Sequence, residues 1–192
     1  QQLIDRKLLD VAAGRTKRLA IFCPPRNGKS ERISRFFPAW FLGRWPDKRI
    51  ILSSYEANFA ASWGARARDV LAEWGPSIFG VHVRSSPSAS YHWETDRGGG
   101  MWTSGVGGPI TGKGADVFII DDPVKNAEDA FSETMRQKQW EWYRSVAYTR
   151  LEPGGAVILM QTRWHGDDLG GRILKEAMAE DGEPWEVLAL PA

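Results

Sequence analysis

A mixed α/β fold, with a mostly parallel sheet covered by helices on both faces, follows from three observations on this sequence. Short apolar runs recur along the chain and end in turn-forming or acidic residues. Longer stretches with helical periodicity separate them. A turn reading Cys23-Pro-Pro-Arg-Asn-Gly-Lys-Ser30 joins one apolar run directly to a helical stretch. Alternation of this kind implies parallel strands joined by crossover helices. Ligands in such sheets sit beyond the carboxyl ends of the strands.

Residues 19–23 are an apolar run stopped by Pro24-Pro25, which predicts a buried strand feeding a loop. A helix is expected from Lys29, with Ile33, Phe36, Phe37 and Trp40 on one face and an interruption at Pro38. Residues 49–53 form the next strand. Residues 56–74 are Ala-rich and helical, with Gly75-Pro76 as the stop signal. Residues 91–95 and 101–104 flank Asp96-Arg97-Gly98-Gly99 and predict a small β-hairpin insertion. Five glycines between 105 and 114 make a flexible loop. Strands at 117–121 and 156–161, helices at 128–149 and 167–180, and a fifth strand at 186–190 complete the expectation. Cys23, Asp121 and Gln161 all fall at strand carboxyl ends and are therefore expected to converge.

With 192 residues and 42% hydrophobic content, the chain has material for one domain, residues 1–192, with a sizeable core. No run approaches the ~18 apolar residues of a membrane-spanning helix, so no membrane partner is expected. No signal peptide opens the chain, and the single Cys23 excludes an intramolecular disulfide, which suits a reducing intracellular compartment. A net charge of +1 neither demands nor forbids nucleic acid; such a contact needs a local patch or several copies together. Of the ten tryptophans, Trp40, Trp63, Trp74, Trp140 and Trp142 fall in helical segments and are expected to pack helices onto the sheet.

The turn at 23–30 fits a phosphate-binding loop, with Cys23 at the usual first glycine and Gly28-Lys29-Ser30 intact. Triphosphate oxygens need inward-facing N–H groups and a helix N-terminus, which residues 27–30 supply. Pro24 and Pro25 stiffen the entry but remove two donors, while Arg26 and Asn27 complete the loop. Lys29 is expected on the β- and γ-phosphates of ATP, and the Ser30 hydroxyl on Mg²⁺. Much later, Val-Phe-Ile-Ile delivers Asp121 and Asp122 to a strand end. Asp121 is expected in the magnesium shell. Asp122 either activates the attacking water or, with Pro123, merely opens a turn. Arg26 is suited to stabilise transferring phosphoryl charge.

Three segments, Pro-Pro-Arg-Asn-Gly-Lys-Ser30, Gly112-Lys-Gly-Ala-Asp-Val-Phe-Ile-Ile-Asp-Asp-Pro-Val-Lys125 and Gln161-Thr-Arg-Trp-His-Gly-Asp-Asp-Leu169, together resemble the large terminase subunit of tailed bacteriophages and prophages. The resemblance runs from about Leu19 to Leu174. It implies a P-loop ATPase of the additional-strand, RecA-like class, working as a ring, commonly a pentamer, at the capsid portal. Its implied partners are double-stranded DNA, copies of itself, the portal protein and the small terminase subunit, in the cytoplasm of a bacterial host. It also implies that Arg26 touches or senses the γ-phosphate, and that Gln161, Thr162 and Arg163 couple hydrolysis to movement. Gln1 or Gln2 would correspond to an adenine-contacting glutamine. A basic finger offered to a neighbouring subunit is left to Lys113, Arg150 or Arg144. The family's C-terminal nuclease domain is not expected within this chain.

Two rival functions are a P-loop kinase acting on a small molecule and a nucleotide-gated switch or scaffold without turnover. No lid-like segment supports the first, and intact Lys29, Ser30, Asp121 and Asp122 oppose the second. Arg163 and His165 are as readily structural as catalytic. Asp167 and Asp168 read as a helix cap.

Overall fold

A computed structural model describes residues 2–25, 27–84, 91–108, 110, 112 and 114–190. Helix α1 (Gln2–Ala12) leads to β1 (Arg18–Phe22), and a π-helical stretch (Glu31–Phe36) runs on as α2 (Phe37–Arg44). Strand β2 (Arg49–Ser54), helix α3 (Ala57–Phe79) and the hairpin strands β3 (His92–Glu94) and β4 (Gly100–Gly105) follow. Then come β5 (Ala115–Asp121), α4 (Ala127–Phe131), α5 (Glu133–Trp142), β6 (Leu151–Gln161), α6 (Leu169–Ala177) and β7 (Glu186–Ala189).

Among the described residues the strands form one sheet in the order β3-β4-β2-β5-β6-β1-β7. Every pairing is parallel except β3 with β4. The hairpin is thus built into the sheet, since β4 lies parallel against β2. Strand β6 separates the loop-bearing β1 from the acid-bearing β5, which is the strand order of the additional-strand, RecA-like class.

Alternation along each strand feeds two cores. Leu19, Ile21, Ile50, Leu52, Val117 and Ile119 face the layer that includes Ile33, Phe37, Leu42 and Leu71. Ala20, Ile51, Phe118, Ile120 and Leu159 face Trp142, Tyr143, Leu169 and Ile173. Burying each large side chain contributes roughly 1.5–3 kcal/mol, so the sheet is held from both sides.

Several expected boundaries move, each for a physical reason. Helix α3 does not stop at Gly75-Pro76 but continues to Phe79, where Gly80 at φ 66° forms a left-handed cap. Pro76 is exposed, so the carbonyl it leaves unbonded faces water, while Leu71 and Gly75 keep the inner face packed. The helix expected over 128–149 is broken at Ser132, which is extended and accepts a hydrogen bond from the Met135 amide to start α5. Past Trp142 it continues as a π-helical turn (Tyr143–Ala147) and a 3₁₀ turn (Tyr148–Arg150), turning Tyr143 and Ala147 into the core. Strand β6 begins at Leu151 rather than 156, because an irregularity opposite Ala115 and Val117 absorbs the extra residues. The helix expected over 167–180 is the shorter Leu169–Ala177, capped by Asp168.

Trp63 and Trp142 are buried, and Trp40 and Trp140 pack at the core margin. Trp74 lies instead on the outer face of α3, and Phe36 faces outward while Ile33 and Phe37 face the core.

Candidate nucleotide site

Register builds the site. Across adjacent strands Ser54 is level with Asp121, Asp121 with Met160, and Ile21 with Met160. The carboxyl ends of β2, β5, β6 and β1 therefore form one edge, and the turns leaving them meet. Gly28 makes the first turn sharp enough, since its φ of 68° is open to glycine at little strain. The Asn27 amide donates to the Pro24 and Pro25 carbonyls at 3.2 and 3.4 Å and closes that loop. Arg26, Lys113 and Gln1 lie outside the described residues.

Lys29 reaches across the edge. Its Nζ is 2.8 Å from Asp122 Oδ2, donates to Thr162 Oγ1 at 2.7 Å and touches the Cys23 carbonyl at 3.4 Å. The Thr162 amide in turn donates to Asp122 Oδ1 at 2.7 Å. Asp122 takes a φ of 43°, rare for a residue with a side chain and worth roughly 1–3 kcal/mol of strain. That twist lets its two oxygens face Lys29 and Thr162 at once.

Asp121 is fully buried one residue earlier. Ser34 Oγ donates to its Oδ2 at 2.5 Å, and Ser30 Oγ, 91 residues away in sequence, to its Oδ1 at 3.3 Å. Burial pushes this carboxyl up to about 7; the Asp122 charge adds to the rise, and the serine hydroxyls and Lys29 oppose it.

Gln161 is fully buried, and its Oε1 accepts from the Gly170 amide at 3.2 Å, tying β6 to the start of α6. Its Nε2 is buried with no hydrogen-bond partner. Arg163 lies 2.9 Å from the Asp168 carboxylate and over the Phe22 ring at 4.8 Å. Asp168 is itself fully buried and accepts from the amides of Gly171, Trp164 and His165. Asp167 pairs with Arg172 and Arg136.

Arg150 ends the turn just before β6, where Leu151 pairs with Ala115 at the start of β5. It stands at the amino end of the sheet, opposite the phosphate loop. Arg144 lies over the Trp140 ring at 5.9 Å on the preceding turn.

A model of the terminase large subunit, T4likevirus-type, N-terminal, matches residues 21–192, which takes in every described element of this site. The chain belongs to the terminase large subunit family. Two solved terminases share its fold. The large terminase of bacteriophage HK97 superposes with a TM-score of 0.61 at 16% identity, over 97% of this chain and 38% of that one. The large terminase of a thermophilic bacteriophage, in complex with ADP, superposes with a TM-score of 0.53 at 11% identity, over 96% and 44%. The chain thus spans under half the length of either. No curated protein matches it.

In this terminase chain, Ser34, Thr162 as the partner of Lys29, and the twisted Asp122 backbone are what sequence reasoning did not assign. For Ser34 a signal existed: it lies one helical turn beyond Ser30 on the same expected helix, so both hydroxyls belong to one face. Beside the loop is a cavity of about 540 Å³ lined by Leu8, Leu9, Gly28, Arg32, Phe37 and Trp40. Among the described residues no helix is long and apolar enough to cross a membrane.

Proposed function

We propose that this chain is the ATP-hydrolysing domain, residues 1–192, of a motor that drives double-stranded viral DNA into a procapsid. The observation that carries the reading is the meeting of Lys29 with Asp122 and of Ser30 with Asp121 at one sheet edge. A lysine and two carboxylates held there suit polyphosphate binding and hydrolysis, and membership of the terminase family supports the same chemistry.

The residues fit Mg²⁺. Ser30 and Asp121 offer hard oxygen donors, which this ion prefers. Ser54, level with Asp121 on the neighbouring strand and so on the same face of the sheet, has a buried Oγ without a hydrogen-bond partner. Bound by Ser30 and Asp121, magnesium would neutralise charge on the phosphate oxygens.

Lys29 turns from Asp122 and Thr162 to the β- and γ-phosphates. Asp122 Oδ2 is thereby released to orient the attacking water, while Oδ1 keeps the Thr162 amide. Thr162 loses its lysine partner in the same movement, so nucleotide occupancy reaches β6. Gln161 and the Arg163–Asp168 pair then carry it to α6. The loop residues Pro24 to Gly28, with Arg26 on the γ-phosphate, wrap the chain of phosphates. The cavity between α1 and the loop takes the base, and Gln1 or Gln2 at the start of the chain is the glutamine that contacts adenine by family analogy. In the full motor, copies of the chain form a ring on the portal, a pentamer by family analogy. The small terminase subunit is a further partner and the host cytoplasm the setting.

Lys29→Ala tests this directly. Magnesium-dependent ATP hydrolysis should vanish; unchanged turnover would remove the phosphate-loop assignment.

A further inference from the structure

We propose that Ser34 is a positioning residue that orients Asp121 for a divalent cation. The inference rests on the reading of Ser30 and Asp121 as the magnesium-holding pair. Ser34 is fully buried and donates to Asp121 Oδ2 at 2.5 Å, whereas Ser30 reaches Oδ1 at 3.3 Å. The two carboxylate oxygens are therefore not equivalent. One is tied down by a short hydrogen bond, and the other is left to the hydroxyl that the phosphate loop presents. A carboxylate free to rotate about its last bond offers either oxygen; the Ser34 bond removes that freedom before any ligand arrives.

The chain builds this contact from its own sequence. Pro38 has no N–H, and its ring crowds the carbonyl four residues earlier, which is that of Ser34. The helix widens there: Glu31–Phe36 is π-helical, and the Phe37 amide bonds the Arg32 carbonyl five residues back. Both hydroxyls, Ser30 from the loop end and Ser34 from the widened turn, thus reach one carboxylate. Ser34 touches neither phosphate nor metal in this scheme and acts only through Asp121.

The test is a magnesium titration of ADP binding, read by a fluorescent ADP analogue, on the parent chain and on Ser34→Ala. The expected result is that half-saturation needs about 10–100-fold more magnesium, the usual effect of losing a partner to a metal ligand. ADP affinity in excess chelator should stay unchanged. An unchanged magnesium requirement overturns the proposal. So does an equal loss of affinity with and without magnesium, because that reports general damage to the loop. If ADP binding by the parent ignores magnesium altogether, the metal reading of Asp121 fails, and Ser34 loses its role with it. Ser34→Cys, of the same shape though somewhat larger and with a feeble donor, answers the same question if the alanine chain does not fold. A raised magnesium requirement there supports the proposal, and a normal one overturns it.

Discussion

Lys29 and Asp122 form an ion pair across the sheet edge, 2.8 Å from Nζ to Oδ2, with the lysine only 5% exposed. A buried ammonium needs a partner, and in this arrangement the carboxylate supplies it until phosphate does. Asp122→Asn should therefore do two things. Turnover should fall by about 10²-fold or more, as for loss of a group that handles the attacking water. Stability should fall by about 1–3 kcal/mol, because Lys29 is left buried and poorly hydrogen-bonded. Phosphate would relieve that second defect. Metal-free ADP should raise the melting temperature of the Asn variant more than that of the parent. Equal shifts in thermal denaturation would mean that Lys29 does not leave Asp122 for the nucleotide.

Asp121 predicts a pH dependence of stability in the absence of metal. Its carboxyl is pushed up to about 7 from 3.8 by burial. Between those values the unfolded chain has released the proton and the folded chain still holds it. The stabilising contribution is thus complete below about 4, and it is lost as pH rises through about 7. The slope from this one group approaches 1.4 kcal/mol per pH unit inside that window. Asp121→Asn cannot titrate, so the difference in unfolding free energy between variant and parent should grow from pH 4 to 7 and then level off. Chemical denaturation at several pH values with chelator present measures it. A difference that stays constant across the window would contradict the placement of Asp121.

Asp168 was legible as a helix cap, but it does more than cap. Its buried carboxylate takes three backbone amides and the Arg163 guanidinium. Asp168→Ala should cost about 1–3 kcal/mol, at or above an ordinary cap, since it leaves several part-buried donors without their shared acceptor. It should also loosen the segment from Thr162 to Gly166. Hydrogen exchange of the Trp164 and His165 amides would report this, and protection equal to that of the parent would show that the loop holds without Asp168.

The mostly parallel sheet and the meeting of the phosphate loop with the twin carboxylates at one sheet edge were readable because they rest on strong local signals. An apolar run, a sharp glycine turn and a second apolar run ending in acids leave few topologies open. What was not readable depends on tertiary packing. Pro76 resembles a helix stop, yet an exposed proline whose opposing carbonyl faces water does not end a helix that is packed on its other side. Ser132 breaks a helix that periodicity alone would extend, because its hydroxyl offers the next amide a partner. The left-handed Asp122 has no sequence signature at all. It is dictated by where Lys29 and Thr162 lie, and they come from other strands.

Arg150 poses the question of how the site is completed. It stands at the amino end of the sheet, while the phosphate loop leaves from the carboxyl end, so it cannot serve the nucleotide of its own chain. Only a neighbour in a ring would present it to a phosphate, where a guanidinium suits transferring charge. Specific activity should then be low in dilute solution and rise with chain concentration. Mixing gives a sharper measurement. Lys29→Ala chains lack a working site but still offer Arg150, and Arg150→Ala chains keep the site but offer nothing. Each alone should be inactive, and the mixture should hydrolyse ATP. If Arg150→Ala is fully active alone and Lys113→Ala is not, the finger is Lys113. If both variants keep full activity and concentration has no effect, no basic residue is supplied by either position, and each chain completes its own site.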